Sequence, residues 1–482
     1  FWLKKLRIKP RRSLEGRVEA MGPTYFHLFS LAFGGSFVSL TLQGCGGGGG
    51  TTPAPTPSTP APTASPTPSP TPGPAPVKPL PSFVPIKAVS YVSPPCKGLD
   101  ADPSCSPPPP ADLVQVGYEN QWGESGRDDL GTISRLNANA VRVMEAFGRE
   151  SHHSHKEFLD RAQSVGLHVM PGFTTDMVCD DFDCYQSWYD AATVAFKLGY
   201  ISGQKWHTAI PMIVLMNEPN TLNFEGTIKP PVKPTNAADK AVARVKAALS
   251  ALDGFLTAEK DFGVTGTDKV NITIAWGWES LDSIDNVIID KTFYGFQDMI
   301  AGVANPSIAG YTLKGVTQDE LMDNYRSRWT NSLNSPSNWH FIQTTVDNEY
   351  NQYFGDVPWF LSSFVGNDLS QDDMEKDFSD TLSEASGGGP FLGVTFKEFQ
   401  TTYEPEFSGM FGLGTATFGN GTTGYVCQED VIRHTPVCER WKLFCLTSTT
   451  QSRTPQAMAS AWGGSFESRG LCAPSKSEQV IV

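Results

Sequence analysis

Eight short runs rich in apolar residues recur along the chain, and the segments between them place their apolar residues at helical spacing. The runs are LVQVGYE (113–119), AVRVMEA (140–146), LHVMPGF (167–173), PMIVLMNEP (211–219), NITIAWGWE (271–279), WHFIQTTVDN (339–348), PWFLSSFVGN (358–367) and FLGVTFKEFQ (391–400). Strands that read as continuous apolar runs are covered on both faces, as in a parallel sheet wrapped by helices. KEFLDRAQSVG and AADKAVARVKAALSALDGFLTAEK are the clearest helical spacers. Eight strand–helix alternations predict an α/β fold of one kind, a (β/α)8 TIM barrel, which fits a single large core.

The fourth run, VLMNEPN at 214–220, fixes where chemistry would sit. Pro219 has no N–H to give to a ladder, so the strand must stop at Asn217 and Glu218. A carboxylate at the C-terminal end of a barrel strand stands where barrel enzymes keep their reacting groups. A carboxyl group held there can give or take a proton, and Glu218 is suited to that part. Asn217 beside it is suited to hold a polar group of a substrate.

Met216-Asn217-Glu218-Pro219 after the fourth of eight strands resembles the Asn-Glu-Pro signature of clan A glycoside hydrolases. Asn139-Ala-Val-Arg142-Val on the second strand is similar to that clan's placement of an arginine beneath the catalytic centre. RAQSVGLHVMPGF and the long helix after NEPN add a likeness to the β-1,3-glucan-active members, the endo-β-1,3-glucanases and the fungal-type β-1,3-glucanosyltransferases. The resemblance spans residues 91–414 and implies a glycoside hydrolase or transglycosylase with Glu218 as general acid/base. It also implies a nucleophilic Glu closing the seventh strand in a Pro-x-Phe-x-x-Glu pattern. Here Pro358-Trp-Phe-Leu-Ser-Ser363 puts a serine there, and no neighbouring histidine in the motif could activate its hydroxyl.

Glu398 on the eighth run is then the nearest substitute, either as the second catalytic carboxylate or as a sugar contact, with Asp347 and Glu349 after the sixth run next in order. Tyr118 on the first run and Trp276 and Trp278 of IAWGWES offer rings that could stack on pyranoses or pack in the core. With Arg142, Asn217, Glu349 and Ser363 they complete the expected binding residues. His152, His153 and His155 lack the spacing of a metal site, and paired-carboxylate hydrolysis calls for neither metal nor cofactor.

The flanks set domain organisation. An apolar stretch from Tyr25 to Leu42 before a small-residue run reads as a signal segment, or as an anchor if it stays uncleaved, and LQGC ending at Cys45 resembles a lipobox. Residues 51–76 hold 11 prolines in 26 positions with Thr and Ser between them, a polyproline II stalk. The expected layout is a leader at 1–45, a Pro/Thr/Ser-rich linker at 46–82, the barrel at 83–424 and a disulfide-rich C-terminal extension at 425–482. After Cys45 eight cysteines remain, an even number that suits an exported chain. Cys96 with Cys105 and Cys179 with Cys184 are the natural local pairs, and the last four can pair in three ways. A formal net charge of -14 gives no footprint for nucleic acid. The expected partner is a polysaccharide, β-glucan of a cell wall, met outside the cell or at its surface, with a membrane involved only through an uncleaved leader.

Overall fold

A computed structural model of the chain describes residues 83–92, 112–147, 153–174, 177–219, 237–277, 294–355, 357–365, 370–400, 409–420, 423–430, 435–448 and 454–466. The leader, the proline-rich stalk and the Cys96–Cys105 pair of the sequence reading lie outside these residues, as do Trp278 and His152. All the described residues belong to one unit, Pro72–Val482.

Eight parallel strands close a barrel: β1 (Ile86–Ser90), β2 (Ala140–Phe147), β3 (His168–Phe173), β4 (Met212–Asn217), β5 (Asn271–Gly277), β6 (Asn331–Ser335), β7 (Trp359–Phe364) and β8 (Phe391–Phe396). Each strand pairs with its neighbour in the chain and β8 closes on β1, so the expected (β/α)8 architecture stands. Helices α1 (Asp129–Arg135), α2 (Lys156–Ser164), α3 (Tyr185–Ala195), α4 (Ala237–Asp261), α5 (Tyr294–Ala304), α6 (Gln318–Arg328), α7 (Asn348–Phe354) and α8 (Gln371–Ser386) lie between them. Gly393 closes the ring at a φ of +128°, where a Cβ would stand 2.2 Å from the carbonyl oxygen of Ile86. Only glycine lets β8 come so near β1.

Two of the eight expected strands are wrong. The first strand is IKAVS, not LVQVGYE: Val116–Tyr118 and Glu119–Trp122 are short helical turns that bury Tyr118 and Trp122. Apolar and β-branched character there serves packing outside the ring. The sixth strand is NSLNS at Asn331–Ser335, and WHFIQTTVDN is helical through Trp339–Ile342 and Gln343–Asp347 into α7. Its buried residues, Trp339, Ile342, Val346, Tyr350 and Phe354, recur every three or four positions, which is a helical face. Asn338 starts that helix by accepting from the Phe341 N–H at 3.0 Å.

The barrel interior is divided along its axis. Toward the N-terminal ends of the strands Phe83, Ile86, Ala88, Ala140, Met170, Met212, Phe360 and Leu392 form a separate apolar plug. Above it the inward positions turn polar, with Arg142, Thr273, Ser332, Asn334 and Ser362 buried. The plug separates the polar layer from the N-terminal end of the ring.

After the barrel the chain forms β9 (Phe411–Thr417), β10 (Thr423–Asp430), β11 (Thr435–Lys442), β12 (Phe444–Ser448) and α9 (Thr454–Trp462). β10 spans the position 424, and β9 pairs with β12. Arg127 ties it down: its guanidinium grips buried Asp129 at 2.7 Å, Gln400 beyond β8 at 3.1 Å and the Phe444 carbonyl at 3.0 Å. Cys179 and Cys184 form the expected bridge, Cys445 is also disulfide-bonded, and Cys427 lies directly opposite Cys438 in the β10–β11 register.

One buried carboxylate organises the wall. Asp253 of α4 is fully buried and accepts from the Tyr311 hydroxyl at 2.7 Å and from the backbone N–H groups of Lys314, Gly315 and Val316 at 2.6, 3.1 and 3.0 Å. Four donors lose their acceptor together in Asp253→Ala. We expect that variant to lose about 3 kcal/mol of stability, read as a lower urea midpoint at unchanged slope; a loss under about 1 kcal/mol would mean that this loop is held by other contacts.

Candidate active site

β4 delivers Asn217 and Glu218 to the mouth as its sequence requires. Glu218 leaves the strand at a φ of +48°, in the left-handed region that costs a residue with a Cβ roughly 1–2 kcal/mol. Two bonds to described residues help hold it there. Its N–H donates to the Ala275 carbonyl of β5 at 2.6 Å, and Asn334 Nδ2 of β6 donates to its Oε1 at 2.7 Å. Backbone strain of this kind gathers where side-chain direction matters more than stability. The carboxylate is only partly buried, so it faces both the cluster beneath and the open mouth.

Asn334 is the centre of the arrangement. Its Nδ2 donates to Glu218 and, at 3.0 Å, to Asn217 Oδ1, while its Oδ1 accepts from the Ser362 hydroxyl at 2.7 Å and from Arg142 Nη1 at 3.3 Å. All four hydrogen-bonding positions of one amide are used. Arg142 of β2 has no exposed surface and also donates from Nη2 to Asn217 Oδ1 at 2.6 Å and from Nη1 to the Ser362 carbonyl. Burial pushes its guanidinium down to about 10, against the opposing pull of Glu218, so it stays charged at neutral pH. Because Arg142 can only donate, Asn217 must turn its oxygen inward and its NH2 group outward. Asn217 is partly exposed there.

The other expected residues are placed as follows. Ser363 is buried on β7 in register with Asn334, but the hydroxyl that enters the cluster is that of Ser362, one position earlier, where the β6–β7 register is irregular. Glu398 is 5% exposed, two residues beyond β8 rather than on it, with its carbonyl accepting from the Met410 N–H at 2.9 Å. Tyr118 sits in a helical turn with none of its surface exposed, so it offers no ring to a ligand. Trp276 points outward from β5 against α5, where a Cβ on Gly295 would stand 2.2 Å from its indole. Glu349 is exposed on α7, remote in the chain from any strand end.

His155 is buried and pairs with Asp112 at 3.0 Å. Among the described residues no group of three or more His, Cys, Asp or Glu side chains is placed to hold a metal. None of their helices is long and apolar enough to cross a membrane.

The sequence reading missed Asn334 and Ser362. NSLNSPS looks like a loop because its strand turns polar side chains into the barrel. Counting would have found it, since an eight-stranded ring needs one more strand between α6 and β7.

A scan of the chain against models of protein families found no match, and a search of curated proteins found none. Among solved structures the chain is similar to Saccharomyces cerevisiae Gas2p in complex with laminaritriose and laminaritetraose, at 10% identity and a TM-score of 0.41, over 79% of this chain and 64% of that one. It is also similar to a family 1 β-glucosidase from Thermotoga maritima in complex with isofagomine lactam, at 10% identity and a TM-score of 0.42, over 70% of this chain and 94% of that one. The chain thus covers less than two thirds of the yeast protein's length.

Asp347, once a reserve choice for the second carboxylate, lies on the outer helical layer in the turn Gln343–Asp347. Burial pushes its carboxyl up to about 6, and the charge of Glu384 on α8 adds to the effect. An aspartate in an unfolded chain titrates near 3.9, so the folded state holds this proton longer and loses stability as pH rises from about 4 to about 6. Asp347→Asn removes that penalty. Thermal unfolding should show the variant gaining on the wild type at pH 7.5 and not at pH 4, and an equal shift at both values would exclude titration of Asp347 as the cause.

Proposed function

We propose that this protein is an exported glycoside hydrolase or transglycosylase acting on β-1,3-linked glucan, with Glu218 as its general acid/base. The observation that carries the reading is the Asn334 to Glu218 bond at the mouth of the barrel. A partly exposed carboxyl, fixed in direction on a rigid strand end, beside an outward amide on Asn217, is what proton delivery to a bound sugar needs. Water and a sugar hydroxyl are alternative acceptors for the same glycosyl group, so hydrolysis and transfer share this machinery. The choice of β-1,3-glucan follows the sequence resemblance.

Arg142 and Asn334 are positioning residues: they orient Asn217 and Glu218 and do not themselves reach the mouth. Glu398, buried two residues beyond β8, is the candidate for the second carboxylate or for a sugar contact. The stalk and leader read from the sequence would present such a domain at the cell surface, facing wall polysaccharide.

A second reading has an observation of its own. β7 brings serines, not a carboxylate, to the mouth, and a barrel with an intact groove but no second charge would be a catalytically impaired β-glucan-binding protein. Turnover of laminarin decides between them. Glu218→Gln, which keeps the Asn334 contact but cannot deliver a proton, should lower turnover by about 10²–10⁴-fold while laminarin binding stays within a few fold. Unchanged turnover would remove Glu218 from the reaction, and binding with no turnover by the wild type would favour the impaired protein.

A further inference from the structure

His155, of the ESHHSHKEF segment, is a buried imidazole with one of its two nitrogens in use. The ring is 2% exposed, packs against Tyr200 at a centroid distance of 5.3 Å and pairs through Nε2 with Asp112, itself 2% exposed, at 3.0 Å. Its Nδ1 is sealed from solvent and has no hydrogen-bonding partner among the described residues. A carboxylate accepts and does not donate, so Nε2 carries the proton of that bond and the neutral ring keeps a lone pair on Nδ1. Buried acceptors are rarely left in that state.

Beside the ring lies a cavity of about 220 Å³, which His155 lines together with Ala146 and Phe147 at the end of β2, Met177, and Ala191 of α3. Asp112 does not line it, so the bonded edge of the imidazole is turned to the protein and the edge bearing Nδ1 is left to the cavity. Phe147 stacks on Phe173 at 4.3 Å and Phe173 on Trp188 of α3 at 5.6 Å, which sets this space between β2 and α3, in the layer outside the ring. Its wall is tied down. The Val178 carbonyl accepts from the Ser187 hydroxyl of α3, and Cys179 next to it is bridged to Cys184 at the head of that helix. Val178 and Val194, which also line the cavity, are 39% and 40% exposed, large apolar side chains kept at its rim. An apolar cavity of about 150 Å³ holds a benzene ring, so this one takes a ring with a substituent.

We propose that this cavity is a binding site for a small uncharged aromatic alcohol of phenol type, its ring against Phe147, Met177 and Ala191 and its hydroxyl donating to His155 Nδ1. The apolar walls select the body, and the lone pair selects a donor over an ether. Asp190 among the lining residues and Asp112 behind the ring disfavour an anion. No group at the barrel mouth takes part, so the site stands or falls apart from the glycosidase reading.

The test titrates the full chain, carrying nitrogen-15 histidine, with phenol, toluene, anisole and benzoate, and follows the imidazole nitrogens by NMR. We expect phenol to saturate one site, to move the Nδ1 resonance that His155→Gln removes, and to bind about tenfold tighter than toluene or anisole, the factor that one net hydrogen bond supplies. His155→Gln, whose amide can still donate to Asp112, should bring phenol down to the level of toluene. Val194→Trp fills the exposed rim, leaves the buried pair in place and should weaken phenol and toluene alike. Equal binding of phenol and toluene, or anisole or benzoate ahead of phenol, would overturn the proposal. Phenol binding that Val194→Trp leaves unchanged would overturn it whether or not His155→Gln folds, and so would a shift of Nδ1 that never saturates.

Discussion

One amide joins four strands of this barrel at the level where its interior turns polar. Through Asn334, β6 is bonded to Glu218 and Asn217 of β4, to Arg142 of β2 and to Ser362 of β7. An amide can do this because it gives two protons and takes two, and each of those capacities is used in a different direction. A carboxylate in its place would repel Glu218, and an aliphatic side chain would leave a guanidinium, a hydroxyl and a carboxylate without their partners in a water-poor space. The direction of Glu218, and with it any chemistry at the mouth, depends on that residue more than on the packing of the ring.

Most of the ring was legible in the sequence for a plain reason: β2, β3, β4, β5, β7 and β8 bury apolar side chains outward against helices, and such strands read as apolar runs. The two failures have different causes. β1 is five residues long, too short to stand out beside LVQVGYE, whose aromatic and branched residues fill space outside the ring. β6 failed because of what it carries. Asn331 bonds Tyr350 and Trp329, Ser332 accepts from Thr273, and Asn334 holds the site, so a strand with inward and outward polar duties looks like a turn. The helix that took its place in the reading has its buried residues three and four apart, a period that was present in WHFIQTTVDN and was passed over in favour of its β-branched and aromatic content.

The site was half legible on the same terms. Asn217, Glu218 and Arg142 lie on strands with the expected polarity, and the structure brings them together. Trp276 was placed on the right strand and the wrong face: apolar side chains of β5 point to the helices, as the ring against Gly295 shows, and an aromatic at a strand end is not thereby at a mouth. Tyr118 and Glu349 inherited the errors of β1 and β6. Glu398 and Ser363 lay close to where they were expected, yet the irregular pairing of β7 with β6 gives the mouth to Ser362. A single-residue offset of that kind has no signature in the chain, because it arises from the register of two strands and not from either alone.

These placements bear on why Arg142 is kept buried among the neutral partners Asn217, Asn334 and Ser362. Arg142 contacts β4, β6 and β7 at once, and no neutral side chain could donate to three carbonyl-type oxygens in those directions. Replacing it would release Asn217 and loosen Asn334 together. The protein therefore keeps the charge for its geometry, and accepts a desolvated guanidinium whose proton affinity is lowered by burial. What results, among the described residues, is a buried guanidinium beneath the mouth and Glu218 at its edge.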